Sequence, residues 1–326
     1  MSNQEIRDPI HNFIRLETEG VRVLDCGPFW RLGRVHQLAL TYLLYPSATH
    51  RRFEHSLGVM ELASRVYDVI TDPDNIHESV RSIIPRKFDL EYWRRALRMA
   101  ALCHDLGHLP FSHAAERDLL PAGWDHERLT LELIRSGEME PIWTAMKVNS
   151  EDVAKLAVGP KHYKDSRFDD WEAILSEIIV GDAFGVDRMD YLLRDSHHIG
   201  VAYGRFDQYR LIDTLRILPK VDRTSEEEPG SQEPALGIEE GGIHSAEALL
   251  LARYFMFSQV YCHHVRRIYD IHLKDFLKSW LPGGVFSTSI EELLRMTDSE
   301  VTQELSKAAR DENHPGFDSA RCIAKR

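Results

Sequence analysis

The string His104-Asp105-Leu106-Gly107-His108, followed by Phe111-Ser112-His113, constrains this chain more than any other feature. A histidine directly followed by an aspartate sets an imidazole nitrogen beside a carboxylate oxygen, a pairing suited to a divalent cation. The segment leading into it, Tyr92 to Leu106, reads as a helix buried at its end by Ala100-Ala101-Leu102-Cys103, with Pro110 as its stop. On a helix His104 and His108 share a face, and Asp105 lies about 100° round from His104. A cation between this helix and its neighbours would then touch His104 and Asp105 while His108 points at a bound substrate. Facing helices of a bundle core commonly build such sites. Two further pieces stand out: His55 in Arg52-Phe53-Glu54-His55-Ser56-Leu57-Gly58 and Asp187 in Val186-Asp187-Arg188-Met189-Asp190-Tyr191.

The rest of the chain reads as mainly α with small β decorations. Phe53, Leu57, Met60, Leu62, Val66 and Ile70 form an i, i+3/i+4 stripe. Asp125 is a plausible N-cap for a helix through Ile134. Ile174 to Ile179 and Met189 to Asp195 are helical, Ala246 to Trp280 makes one or two long helices, and Ser319 to Lys325 a last short one. Strand signals are confined to Phe13-Ile14-Arg15-Leu16 and a hairpin around 215–242. Asp222 to Gly242, rich in Glu, Ser, Pro and Gly, reads as an exposed loop or hairpin tip. We therefore expect one domain over 1–326, with a core at about 30–215, a loop or hairpin at about 219–242 and a helical part at about 243–326.

A net charge of −12 argues against a dedicated nucleic-acid binder. Basic pairs such as Arg51-Arg52, Arg94-Arg95 and Arg266-Arg267 leave that partner open without indicating it. Apolar runs fall short of the roughly 20 residues of a membrane span, and the start carries no signal-peptide pattern. Cys26, Cys103, Cys262 and Cys322 have no CxxC spacing. A cytoplasmic protein with no membrane partner is expected.

One His-Asp pair carries little weight in a chain with 17 histidines. The weight comes from His104, Asp105, His108 and His113 within ten residues, beside Gly107 and Pro110. A nitrogen and oxygen shell without thiolate suits one divalent ion (Mn²⁺, Fe²⁺, Mg²⁺ or Zn²⁺), and softness alone does not choose among them.

These stretches resemble the HD-domain phosphohydrolases, and within them the deoxynucleoside triphosphate triphosphohydrolase branch. Further matching pieces are Asp8-Pro9-Ile10-His11, Arg31-Leu32 with Gln37-Leu38, Tyr45-Pro46, Asp125-His126-Glu127 and Arg194-Asp195-Ser196-His197-His198. The resemblance covers roughly residues 5–275. It implies an HD-domain helical bundle in which His55, His104, Asp105 and Asp187 hold the metal. It also implies that Arg52, His108, His113, His126, Arg188 and Tyr191 surround a triphosphate, whose negative charge calls for such donors. In the family, water attacks the α-phosphorus and releases a nucleoside and intact triphosphate. By position, His113 is the candidate acid for the departing 5′-oxygen, oriented by Glu116 or Glu127, with His108 and His126 on phosphate.

Asp187, Tyr191 and Asp195 stand at i, i+4 and i+8 and line one helical face. The resemblance places Tyr191 and Asp195 at the sugar, with Gln37 and Leu38 beside it. It places Arg253 and Tyr261 near phosphate and base. It further implies a homo-oligomer and an allosteric nucleotide, although Trp30 and Gly33 depart from the activator contacts of the mammalian branch and only Asp25 matches. Family members usually continue beyond the stretch matching residue 326 with another helical lobe. Other readings of the same residues are hydrolysis of a monophosphate, a modified nucleotide or an alarmone, or a nucleotide-sensing or nucleic-acid-binding module without turnover.

Overall fold

The computed structural model describes residues 4–111, 116–219 and 234–325. His113 and the side chain of Glu116 lie outside them, as does most of the Asp222–Gly242 loop. The described chain is helical apart from two antiparallel hairpins. β1 (Gln4–Asp8) pairs with β2 (Asn12–Leu16), so Ile6 faces Ile14. The Phe13–Leu16 strand is thus present, and Ile14 and Leu16 are buried.

The centre is α1 (Arg52–Ile70) and α2 (Lys87–Cys103), packed together. The apolar stripe read from Leu57 to Ile70 is buried, and small residues at Gly58 and Ala63 let neighbouring elements approach. α2 ends at Cys103, three residues before the expected Leu106. Tertiary bonds explain the early stop. The Gly107 N–H donates to Thr130 Oγ1 at 2.9 Å, and that hydroxyl donates to His104 O at 3.2 Å. A Cβ at Gly107 would stand 2.1 Å from His126 O, so only glycine lets this turn press against the next helix. His104 and His108 therefore lie on a tight turn, and the shared-helix-face geometry does not hold.

α3 (His126–Ile134) starts at the expected Asp125 N-cap, whose carboxylate accepts the Arg128 N–H at 2.8 Å. α4 (Ser150–His162) packs on α2, α3 and α5 (Asp170–Val180). α6 (Val186–Ile199) crosses α1 and ends at Gly200 in the left-handed region, φ 80°. The hairpin of β3 (Leu215–Pro219) and β4 (Pro234–Ile238) follows as expected. The 246–280 segment resolves into α7 (Ile243–Met256), a π-turn at Phe257–Tyr261 and α8 (His264–Trp280). α9 (Asp298–Ala308) and α10 (Phe317–Lys325) close the chain, and α10 packs on α8. Among the described residues no helix is long and apolar enough to cross a membrane.

Candidate metal centre

Three elements deliver the four expected ligands to one place. His55 comes from the first turn of α1, His104 and Asp105 from the turn after α2, and Asp187 from the first turn of α6. Ligand atoms of His55, His104 and Asp105 all lie within 4.8 Å of one another. Asp187 Oδ1 is 3.0 Å from His55 Nε2 and 3.6 Å from His104 Nε2.

The imidazoles are oriented from behind. His104 Nδ1 is 2.8 Å from Ala101 O, and a carbonyl only accepts, so Nδ1 carries the hydrogen and Nε2 presents a lone pair. That Nε2 is buried and has no hydrogen-bond partner among the described residues. His55 Nδ1 is held 2.8 Å from Asp190 Oδ2, which turns its Nε2 toward Asp187. A buried lone pair aimed at two carboxylates and a second imidazole is what a divalent cation satisfies, so the residues present fit the expected ion.

The ionisation pattern agrees. Burial works against charge on Asp105, yet His104, Arg52 and His108 hold its carboxyl well below the usual carboxylate range. Asp187 is likewise lowered despite desolvation, by His104 and His55. Burial lowers His55, but the bonds to Asp187 and Asp190 win and push it up to about 10. Without an ion, these bonds favour the protonated imidazole of His55 beside Asp187. Burial, then Arg52 and His126, press His108 well below the ordinary histidine value, so it stays neutral.

Around this cluster the Arg52 guanidinium bonds Asp105. His108 Nε2 is 3.1 Å from Asp105 Oδ1, and its ring stacks on His126 at 4.0 Å. Glu127 Oε2 is 3.1 Å from His126 Nδ1, and its other oxygen is 3.5 Å from His162 Nε2. A cleft of about 610 Å³ opens here, floored by His104, Asp105 and Asp187 and walled by His126, Glu127, the end of α4 and the α5–α6 connection.

Several of the remaining expected residues form a second group, which Arg188 and Arg253 do not join. Asp195 lies 2.8 Å from His50 Nε2 and accepts the Tyr261 hydroxyl at 2.6 Å. Tyr191 meets the Tyr261 ring edge-on at 6.2 Å. Gln37 donates its backbone N–H to His50 O at 3.1 Å, and its buried Oε1 has no partner among the described residues. Leu38 beside it is buried. Arg188 is turned back onto the carbonyls of Gly181 and Asp182. Arg253 lies over the Phe257 ring in a separate open groove with Leu250 and Tyr254.

Asp190, which no motif in the sequence singles out, is the hub behind the centre. Its carboxylate is fully buried and meets His11 Nε2 at 2.7 Å, His55 Nδ1 at 2.8 Å and the Arg194 guanidinium at 2.8 and 2.9 Å. Arg194 also donates to Asp8 at 2.8 Å, so the β1–β2 turn is tied to a ligand imidazole. Gly58 makes room for this: a Cβ there would stand 1.9 Å from Asp190 Oδ1. The i, i+4 spacing of Asp190 and Arg194 was the available signal.

Comparison with known proteins fits this architecture. Residues 52–194 match the HD domain and residues 206–320 the HD associated region. An uncharacterized protein of Methanocaldococcus jannaschii is 36% identical over 82% of this chain and 48% of its own length. The deoxynucleoside triphosphate triphosphohydrolase SAMHD1 of Gallus gallus is 34% identical over 64% of this chain and 36% of its own length. The crystal structure of a hypothetical protein from Aquifex aeolicus superposes with a TM-score of 0.78 at 34% identity, covering 100% of this chain and 76% of that one. The chain spans about half the length, or less, of these two curated relatives. With both HD regions matched in order along one chain, this protein belongs to the HD-domain superfamily.

Proposed function

We propose that this chain is a divalent-metal-dependent phosphohydrolase that converts a deoxynucleoside triphosphate to the deoxynucleoside and inorganic triphosphate. The observation that carries the reading is the convergence of the buried His104 Nε2, 3.3 Å from Asp105 Oδ1 and 3.6 Å from Asp187 Oδ1, with His55 on one point. The relatives named as deoxynucleoside triphosphate triphosphohydrolases support the substrate.

His55, His104, Asp105 and Asp187 would hold the ion. When bound, such an ion polarises a phosphoryl oxygen and lowers the pKa of water. Arg52, fixed against Asp105, sets a permanent cation where phosphate oxygens would meet the centre. Arg188 would swing from the Gly181 and Asp182 carbonyls to the phosphate chain. Neutral His108 has a single N–H, turned to Asp105 Oδ1 at 3.1 Å, and would donate to phosphate by exchanging that partner. The departing 5′-oxygen needs a proton. His126 is a second candidate donor, its ring oriented by the Glu127 carboxylate 3.1 Å from Nδ1. His113 keeps the same role by position, with Glu116 near it in sequence.

Gln37, Leu38, Tyr191, Asp195 and Tyr261 make the sugar compartment in this reading, and the open Gln37 Oε1 is an acceptor for a 3′-hydroxyl. Arg253 would have to turn from its groove to meet phosphate. Exposed Leu250, Leu251, Tyr254 and Phe255 along α7 support homo-oligomerisation.

The test is product analysis of the Mn²⁺-loaded chain with each deoxynucleoside triphosphate and its ribonucleotide counterpart. Deoxynucleoside plus triphosphate is expected, and Asp187→Ala should abolish both. Orthophosphate or pyrophosphate as the product would overturn the reading.

A further inference from the structure

Asp298, the first residue of α9, is buried although it carries a charge. Its Oδ1 accepts the Phe111 N–H at 2.7 Å. Its Oδ2 accepts the His36 N–H at 2.8 Å and lies 2.6 Å from His36 Nδ1. One carboxylate thus joins two segments that are far apart in the chain order. Phe111 lies three residues after His108 and two before His113, and His36 immediately precedes Gln37.

The contact holds an unfavourable backbone. Phe111 has φ 54°, a left-handed conformation that a phenylalanine adopts only when its surroundings enforce it. Its ring lies parallel to His36 at 6.1 Å, and His36 stacks on Tyr42 at 4.9 Å. A second tie runs alongside. Buried Arg31 donates to the carbonyls of Leu293 and Met296, just ahead of α9, and to Leu106 in the motif turn. The Thr297–Glu300 capping box fixes the start of α9.

We propose that Asp298 is a positioning residue for the metal centre, and that the region matched as HD-associated is part of the catalytic unit. Resting on the phosphohydrolase reading, Asp298 clamps the backbone at Phe111 and His36 so that the segments bearing His108 and Gln37 keep their spacing. Asp298→Asn keeps the shape and one acceptor oxygen, but sets an amide N–H₂ against a backbone N–H or against His36. A misplacement of about 1 Å costs about 100-fold in rate.

The experiment compares full-length wild type and Asp298→Asn, loaded with Mn²⁺ and assayed on dGTP, with hydrogen exchange followed by mass spectrometry. Turnover per Mn²⁺-loaded site should fall about 10- to 100-fold while Mn²⁺ affinity stays within about threefold. Exchange should quicken at 34–38 and 106–111, with α4 and α5 unchanged. A purely structural role would lower the folded fraction and leave turnover per loaded site alone. If Asp298→Asn does not fold, His36→Gln, which removes the imidazole contact with Asp298 together with its stacking on Phe111 and Tyr42 but keeps both backbone N–H bonds to Asp298, should show the same pattern more weakly. Turnover per loaded site within about twofold of wild type overturns the proposal, as does unchanged exchange at 106–111. If wild type leaves dGTP intact, the phosphohydrolase reading fails, and the exchange result alone still decides the clamp.

Discussion

Asp190→Asn should weaken the metal centre without removing a ligand. The carboxylate accepts from His55, His11 and Arg194, all buried. An asparagine in its place offers one acceptor oxygen and turns an N–H₂ on donors that cannot move. Arg194 keeps Asp8 as a partner but loses its bidentate one. Removing one member of a buried ion pair costs about 3–5 kcal/mol. Losing the carboxylate behind a ligand histidine costs about 10- to 100-fold in metal affinity. Urea denaturation of the metal-free protein reads the first quantity and Mn²⁺ titration calorimetry the second. Asp187→Asn is the contrast. Its side chain is 37% exposed and takes no part in the Arg194 pair, so Mn²⁺ affinity should collapse while stability falls less than in Asp190→Asn, by the loss of the His55 contact alone. Were Asp190→Asn to lose under about 1 kcal/mol and under about threefold in affinity, the hub reading would be wrong.

Gly58→Ala should reproduce that loss from the opposite side, because its Cβ would collide with Asp190 Oδ1 at 1.9 Å; the same two assays apply, and a wild-type profile contradicts the packing. Gly107→Ala should destabilise by about 1–3 kcal/mol or more, since the Cβ would meet backbone atoms of His126 and Thr130 at 2.1 and 2.5 Å, and urea midpoints measure it. Ion binding should release close to one proton. His55 stands at about 10 in the metal-free fold, above its ordinary 6.5, so its proton stabilises that fold fully below 6.5 and is lost as pH rises through 10. Mn²⁺ affinity should accordingly climb with pH toward 10, by up to about tenfold per unit, and calorimetry in buffers of different ionisation enthalpy counts the proton.

The ligands were legible because adjacent His104 and Asp105, and the apolar stripe of α1, are local patterns. The end of α2 was not, because Gly107 gives its N–H to Thr130, a partner 23 residues away. The Asp190 hub was hidden for a different reason: an Asp–Arg pair at i, i+4 reads as surface decoration on a helix unless its burial is known. His126 and Glu127 are adjacent, and neighbouring helical side chains do not normally face one another; at the first turn of α3 they do. Asp298 reaches Phe111 across 187 residues, a contact no periodicity announces.

Hydrolysis of dGTP by the Mn²⁺-loaded protein in oxygen-18 water tests the central claim most directly. Attack of water at the α-phosphorus puts the label in inorganic triphosphate and leaves the 5′-oxygen of deoxyguanosine unlabelled. Labelled deoxyguanosine, or a deoxynucleoside monophosphate with pyrophosphate, would contradict it.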